Sequence, residues 1–208
     1  MKNRQGLLLW SGVKHKKELI IMLEIRFHGR GGQGTVVATI LLAKAFFEAG
    51  YQVQSFPFFG IERRGAPVEA YLRLNKKDIL IRSNVYNPDH VVVQDRTLIQ
   101  SIDFTRGLQP GGWILINSPA PPANLTPFAG FRLAFVDASH IARNHKLGTR
   151  TSPIVNTSMI GAFASILDMP PMETVVSAIR EEITIEAEQN IQAAEDAYRE
   201  VRILGMIE

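Results

Sequence analysis

Glu24-Ile25-Arg26-Phe27-His28-Gly29-Arg30-Gly31-Gly32-Gln33-Gly34-Thr35 decides how the rest of the chain is read. Glu24 to Phe27 alternates polar and apolar residues, the period of a half-buried strand, and runs straight into a glycine-rich turn. After the turn, Thr35 to Ala49 carries Val36, Val37, Ile40, Leu41 and Phe47, and Gly50 is the expected terminating glycine. Tyr51 to Phe56 reads as a second strand. Strand, loop, helix and strand in this order predict a parallel pair with a right-handed crossover.

Working outward, Pro57 to Pro67 is a loop studded with glycine and proline. Val68 to Leu74 alternates cleanly, and the turn Asn75-Lys76-Lys77-Asp78 predicts a hairpin returning through Ile79-Leu80-Ile81. The sheet is therefore expected to be mixed. His90 to Gln94, Trp113 to Asn117 and Arg132 to Val136 read as short buried strands. A helix-sized segment separates the first two, and a connector with four prolines, Ser118 to Pro127, separates the last two. Helices are expected over Ile154–Leu167, Met172–Glu182 and Glu188–Arg202. No linker or repeat divides these pieces. The expected fold is α/β: a three-layer single domain with a mixed, mostly parallel sheet and C-terminal helices.

The domain is expected to span residues 22–208. Residues 1–21 are basic and irregular and read as an N-terminal arm, either disordered or the product of an upstream start site. A short helix packed on the domain is the equal alternative.

Composition excludes several functions. Cysteine is absent, which removes disulfides, thiolate nucleophiles and cysteine-ligated zinc or iron–sulfur clusters from this chain. The five histidines lack metal-ligand spacing with a nearby carboxylate, so no metal site is expected. No apolar run approaches the roughly 20 residues needed to span a bilayer, and a cytoplasmic location is expected. Of the +3 net charge, residues 22–167 hold fifteen Lys/Arg against nine Asp/Glu, while 168–208 hold three against ten. No dense basic stripe interleaved with aromatics appears, so nucleic acid is not an expected partner. The basic body could still hold one compact anion.

Gly29, Gly31 and Gly34 fit G-x-G-x-x-G after a strand and before a helix. Glycines permit close backbone approach, helix N-terminal amides attract anions, and Arg30 adds a charged donor. Three features argue against a dinucleotide loop. The end of the second strand, Gln54-Ser55-Phe56, lacks the carboxylate a ribose needs. Gly34 is followed by Thr35 where a nucleoside-triphosphate loop has Lys. Gly32-Gln33 is an unusual insertion for either. The candidate anion site is Gly29, Arg30, Gly31, Gly32, Gln33, Gly34 and Thr35, joined by Glu62, Arg63 and Arg64 from the next loop, which should share its face. Asp95 and Asp137 end strands on that face and are expected to cap the helices that follow.

Five stretches taken in order carry a family resemblance: His28–Thr35, Phe56–Pro67, Ile81–Asp89, Gly111–Asn117 and Pro153–Gly161. Together they resemble the gamma subunit, or fused gamma domain, of 2-oxoacid:ferredoxin oxidoreductases. Glu62-Arg63-Arg64-Gly65-Ala66, where the 2-oxoglutarate branch tends to carry Glu-Ala-Arg-Gly-Gly, favours the pyruvate and 2-oxoisovalerate side. The resemblance implies a complex that decarboxylates a 2-oxoacid oxidatively, forms the acyl-coenzyme A and reduces ferredoxin. It implies thiamine diphosphate, Mg2+ and iron–sulfur clusters on partner chains, namely alpha, beta and ferredoxin-like delta subunits or their fused equivalents, and no catalytic residue on this one. The missing cysteines, and the missing Gly-Asp-Gly of a thiamine site, agree with that division. Two rival readings are a standalone dinucleotide-binding oxidoreductase, which tight NAD(P) binding would favour, and a non-enzymatic ligand-binding module, which a heteromer with such partners would dismiss.

Overall fold

The computed structural model describes residues 22–58 and 65–208. Among them are seven strands: β1 (Leu23–Arg30), β2 (Gln52–Phe58), β3 (Pro67–Asn75), β4 (His90–Val93), β5 (Trp113–Asn117), β6 (Arg132–Val136) and β7 (Arg202–Met206). Five α-helices accompany them: α1 (Thr35–Glu48), α2 (Ala138–Asn144), α3 (Asn156–Leu167), α4 (Met172–Glu182) and α5 (Ala187–Glu200). The strands form one sheet in the order β2-β3-β1-β4-β5-β6-β7. β1, β4, β5 and β6 are a parallel block, and β3 and β7 run against it. β2, antiparallel to β3, points the same way as β1. Five of seven strands thus share one direction, and the domain is a mixed, mostly parallel α/β sheet with C-terminal helices.

Strand alternation sorts the core into two sides. Ile25, Phe27, Leu72, Val92 and Leu115 face the helices, where they meet Leu41, Phe46, Ile160 and Phe163 in one apolar cluster. Val91, Val93, Ile114, Ile116 and Leu133 face the other way, under Leu98, Phe104, Leu108 and Phe128. That second cover is built from irregular chain and two 3-10 turns, Arg96–Gln100 and Thr126–Phe128. Helices, sheet and this cover are the three layers. Helix α3 packs closely on α5 because Gly161 has no side chain; a Cβ there would overlap the Ala194 carbonyl.

Four expectations need correction. β1 and β2 are parallel in direction but not paired, because β3 is inserted between them. The hairpin is β2–β3, and Ile79–Ile81 form no strand. Both edges of β3 are already occupied, so no ladder is left for them, and Leu80 stands 87% exposed. After β4 the helix-sized segment supplies only the Arg96–Gln100 turn. The carbonyls of Phe104 and Arg106 instead accept from the buried guanidinium of Arg26, at 2.9 and 2.7 Å. Finally, α5 stops at Glu200, and Arg202 opens β7 along β6 instead of extending the helix. Helix α2 was not expected as a separate element.

Candidate functional site

The connection after β1 runs over the helical side as α1, whereas the connection after β4 covers the opposite side. The carboxyl ends of β1 and β4 therefore diverge, which is where open α/β sheets form ligand crevices. The glycine loop stands at this point. Gly29 is buried, and a Cβ on it would overlap Thr35 Oγ1 and crowd Gln94 Oε1 to 2.8 Å. Gly34 has φ +76, and a Cβ there would come within 2.7 Å of Asn156 Nδ2. The glycines let the start of α1 abut the start of α3.

The loop is braced from within. Arg30 N donates to Gln33 Oε1 at 2.8 Å, Gly31 N to Ala66 O at 2.9 Å, and Gln33 N to Arg30 O at 3.0 Å. Gly65 N donates back to Gly31 O at 3.0 Å, which ties this loop to the start of β3. The Arg30 guanidinium donates to Thr97 Oγ1 (2.7 Å) and Gly65 O (3.0 Å) and lies 3.3 Å from Asp95 Oδ2. Gln33 Nε2 donates to the same Asp95 oxygen at 2.9 Å. Burial alone would raise the Asp95 carboxyl. Hydrogen bonds from Thr97 and Gln33, together with the Arg30 charge, hold it below the usual carboxylate range instead.

The structure thus places Gly29, Arg30, Gly31, Gly32, Gln33, Gly34 and Thr35 in one turn from β1 into α1, with Gly29 and Thr35 buried and Arg30 engaged by protein partners. Glu62, Arg63 and Arg64 lie outside the described residues. Asp95 and Asp137 are caps: Asp95 accepts from Thr97 N at 2.9 Å, and Asp137 from His140 N at 2.9 Å.

Beside the loop, a polar cleft of about 390 Å³ opens across the ends of β4, β5 and β6. Gln33, Gln94, Asn117 and Ser139 line its inside, and Arg143 and Arg150 its mouth. Sequence reading noted the strand ends here but missed the cleft, because two of its three arginines, Arg143 and Arg150, come from α2 and the loop after it, and the third, Arg96, from the turn after β4. Among the described residues there is no group of three or more side chains able to hold a metal ion. No helix among them is long and apolar enough to cross a membrane.

A family model described as pyruvate ferredoxin/flavodoxin oxidoreductase matches residues 24–200. Pyruvate synthase subunit PorC of Methanocaldococcus jannaschii is 45% identical over 181 residues, covering 86% of this chain and 97% of that one. The pyruvate/ketoisovalerate oxidoreductases common subunit gamma of Pyrococcus abyssi is 42% identical over 186 residues, covering 88% and 98%. Among solved structures, pyruvate oxidoreductase subunit PORC of Thermotoga maritima aligns with a TM-score of 0.75 at 34% identity, covering 88% of this chain and 98% of that chain.

Proposed function

The chain belongs to the pyruvate ferredoxin/flavodoxin oxidoreductase family, and from that premise we propose that it is the gamma subunit of a 2-oxoacid:ferredoxin oxidoreductase complex. The reaction is oxidative decarboxylation of pyruvate or a branched-chain 2-oxoacid to the acyl-coenzyme A, with electrons passed to ferredoxin. The observation that carries this reading is near-complete coverage of gamma and PorC subunits at more than 40% identity. Thiamine diphosphate, Mg2+ and iron–sulfur clusters are assigned to alpha, beta and ferredoxin-like delta partners, in the cytoplasm. A chain without cysteine cannot ligate a cluster through thiolates. The domain assigned to this role is residues 22–208; residues 1–21, expected as an N-terminal arm, lie outside the described residues.

The role assigned to this subunit's own residues is recognition. The face built from Gly29–Thr35, together with Glu62, Arg63 and Arg64, meets the phosphates of coenzyme A. Its rigid, glycine-shaped loop and the start of α1 suit an anion, and Arg forks fit phosphate better than Lys. Arg30 contributes by holding Gly65 and Asp95 in place. In the whole complex, Arg64→Ala should raise the apparent KM for coenzyme A about ten- to hundredfold, the loss of one charged hydrogen bond of about 1.5–3 kcal/mol. Arg30→Ala should act in the same direction by releasing the loop. Steady-state kinetics at limiting coenzyme A and gel filtration are the readouts. Dissociation of the complex would assign the face to a partner chain, and normal assembly with normal kinetics would leave it purely structural.

A further inference from the structure

The cleft across β4, β5 and β6 contains a donor that no described residue satisfies. Gln94 is 0% exposed; its Oε1 accepts from Thr35 Oγ1 at 2.7 Å, while its Nε2 has no partner, and the side chain lines the cleft. A buried amide N–H without an acceptor is destabilising, so its persistence calls for an acceptor from outside. Neighbouring Asn117 cannot supply one. Its Nδ2 donates to Gln94 O and to Ser139 Oγ, both at 2.9 Å, and its Oδ1 accepts from Ser139 N at 3.2 Å.

The surroundings are cationic and donor-rich. Arg143 and Arg150 line both this cleft and an adjoining hollow of about 420 Å³ that also holds Lys146. Helices α1 and α3 begin beside it with no side-chain cap from Gly34 or Val155, and in the first turn of α3 only Thr157 N is met by a side-chain oxygen, Asn156 Oδ1. The two carboxylates of the lining are engaged. Asp95 takes hydrogen bonds from Gln33 and Thr97 beside Arg30, and Asp137 caps α2.

We propose that this cleft is a phosphate-binding site. The oxoanion accepts from Gln94 Nε2 at the floor, and Arg143 and Arg150 close over it at the mouth. The volume exceeds that of a bare ion and falls in the range of small-molecule pockets, so a phosphoryl group carried on a larger ligand fits as well as free phosphate. Gln33 and the start of α1 border both this cleft and the recognition face, but the groups assigned to the anion here, Gln94, Arg143 and Arg150, belong to the cleft alone, and the site stands or falls without the subunit reading.

The test is calorimetric titration of the purified full chain with inorganic phosphate and, separately, with coenzyme A, at matched ionic strength. Two variants accompany it: Gln94→Glu, which keeps an acceptor for Thr35 while removing the donor, and the exposed double variant Arg143→Ala/Arg150→Ala. Saturable binding is expected in the parent chain, weakened about tenfold or more in either variant. Competition between the two ligands would identify the phosphate as that of coenzyme A; independent binding would identify the free ion. Absence of saturation by either ligand would overturn the proposal. So would unchanged binding in the double arginine variant, whatever Gln94→Glu does.

Discussion

Lowering the pH from 6.5 to 5 should cost the chain about 3 kcal/mol of folding stability, a large share of what a domain of this kind has. The cause is a buried and a half-buried histidine, His28 and His90, on neighbouring strands. His28 is held at a pKa of about 3 by burial, then by the charges of Arg26 and Arg106. His90 is held at about 4 by burial, then by Arg132. Each ring accepts a hydrogen bond that requires it neutral: Arg26 Nε donates to His28 Nε2 at 3.0 Å, and Trp113 N to His90 Nδ1 at 3.1 Å. Glu69 lies 3.7 Å from His28 Nδ1, but beside a neutral ring it makes no ion pair. Both pKa values are depressed, so the stability is present above the unfolded value near 6.5 and is lost as pH falls. Over this window it is the unfolded chain that takes up the protons, and the slope per histidine grows from about 0.7 kcal/mol per pH unit at pH 6.5 towards about 1.4 near pH 5. The window lies above the ordinary carboxylate range, although burial raises the Asp89 carboxyl beside His90, whose proton uptake would offset part of the loss. Urea midpoints at pH 6.5, 5.8 and 5 would measure the effect, and a flat profile would mean that one or both rings are protonated in the folded state.

Arg73→Ala should cost about 3–5 kcal/mol. The side chain is 1% exposed on β3. Its Nε donates to Glu24 Oε1 at 2.5 Å, an NH2 donates to Asn84 O at 3.1 Å, and the guanidinium lies 5.3 Å from the ring centre of Phe56. Truncation leaves the Glu24 carboxylate without its counter-ion, the Asn84 carbonyl without its donor, and a void beneath Phe56. For a domain of this size the loss corresponds to a fall in Tm of about 10 °C. The double variant Glu24→Leu/Arg73→Met should lose less, because it removes both charges together and keeps the volume. A change in Tm below about 2 °C for Arg73→Ala would show that the pair contributes little.

Local pattern carried the elements further than it carried their arrangement. Alternation in Val68–Leu74 and the run His90–Gln94 located strands because burial on one or both sides leaves a period in the residues themselves. Nothing in that period tells which strand lies beside which. The insertion of β3 between β1 and β2 is a lateral choice, and it is what strands Ile79–Ile81 in solvent. The missing helix after β4 has a similar origin: one buried arginine, Arg26, takes two carbonyls from 78 and 80 residues away. β7 was missed, since the helix was expected to run through Arg202, although a signal was there. Val201-Arg202-Ile203-Leu204 is rich in β-branched and apolar residues just where the helical pattern of α5 ends, and Gly205 follows.

The same contrast holds at the site. The glycine loop is a contiguous motif, so its seven residues were found together. The cleft is assembled from five separate segments, and its sharpest feature, the unsatisfied Gln94 amide, exists only once Thr35 has engaged the other end of that side chain. No spacing rule could have marked it. Arg30 looked like a free anion ligand in the sequence; in the fold its guanidinium braces Asp95, Thr97 and Gly65.

The central claim is that this chain is an obligate, non-catalytic subunit, and reconstitution tests it most directly. Tagged chain, both full-length and beginning at Met22, would be co-expressed with candidate thiamine-binding and cluster-bearing partners and assayed for pyruvate- and coenzyme A-dependent reduction of ferredoxin. The expected result is a stable heteromer with either form, activity that needs the chain to be present, and no turnover or cluster absorbance from the chain alone. Full activity of the partners without it, or pyruvate turnover by the purified chain, would contradict the account.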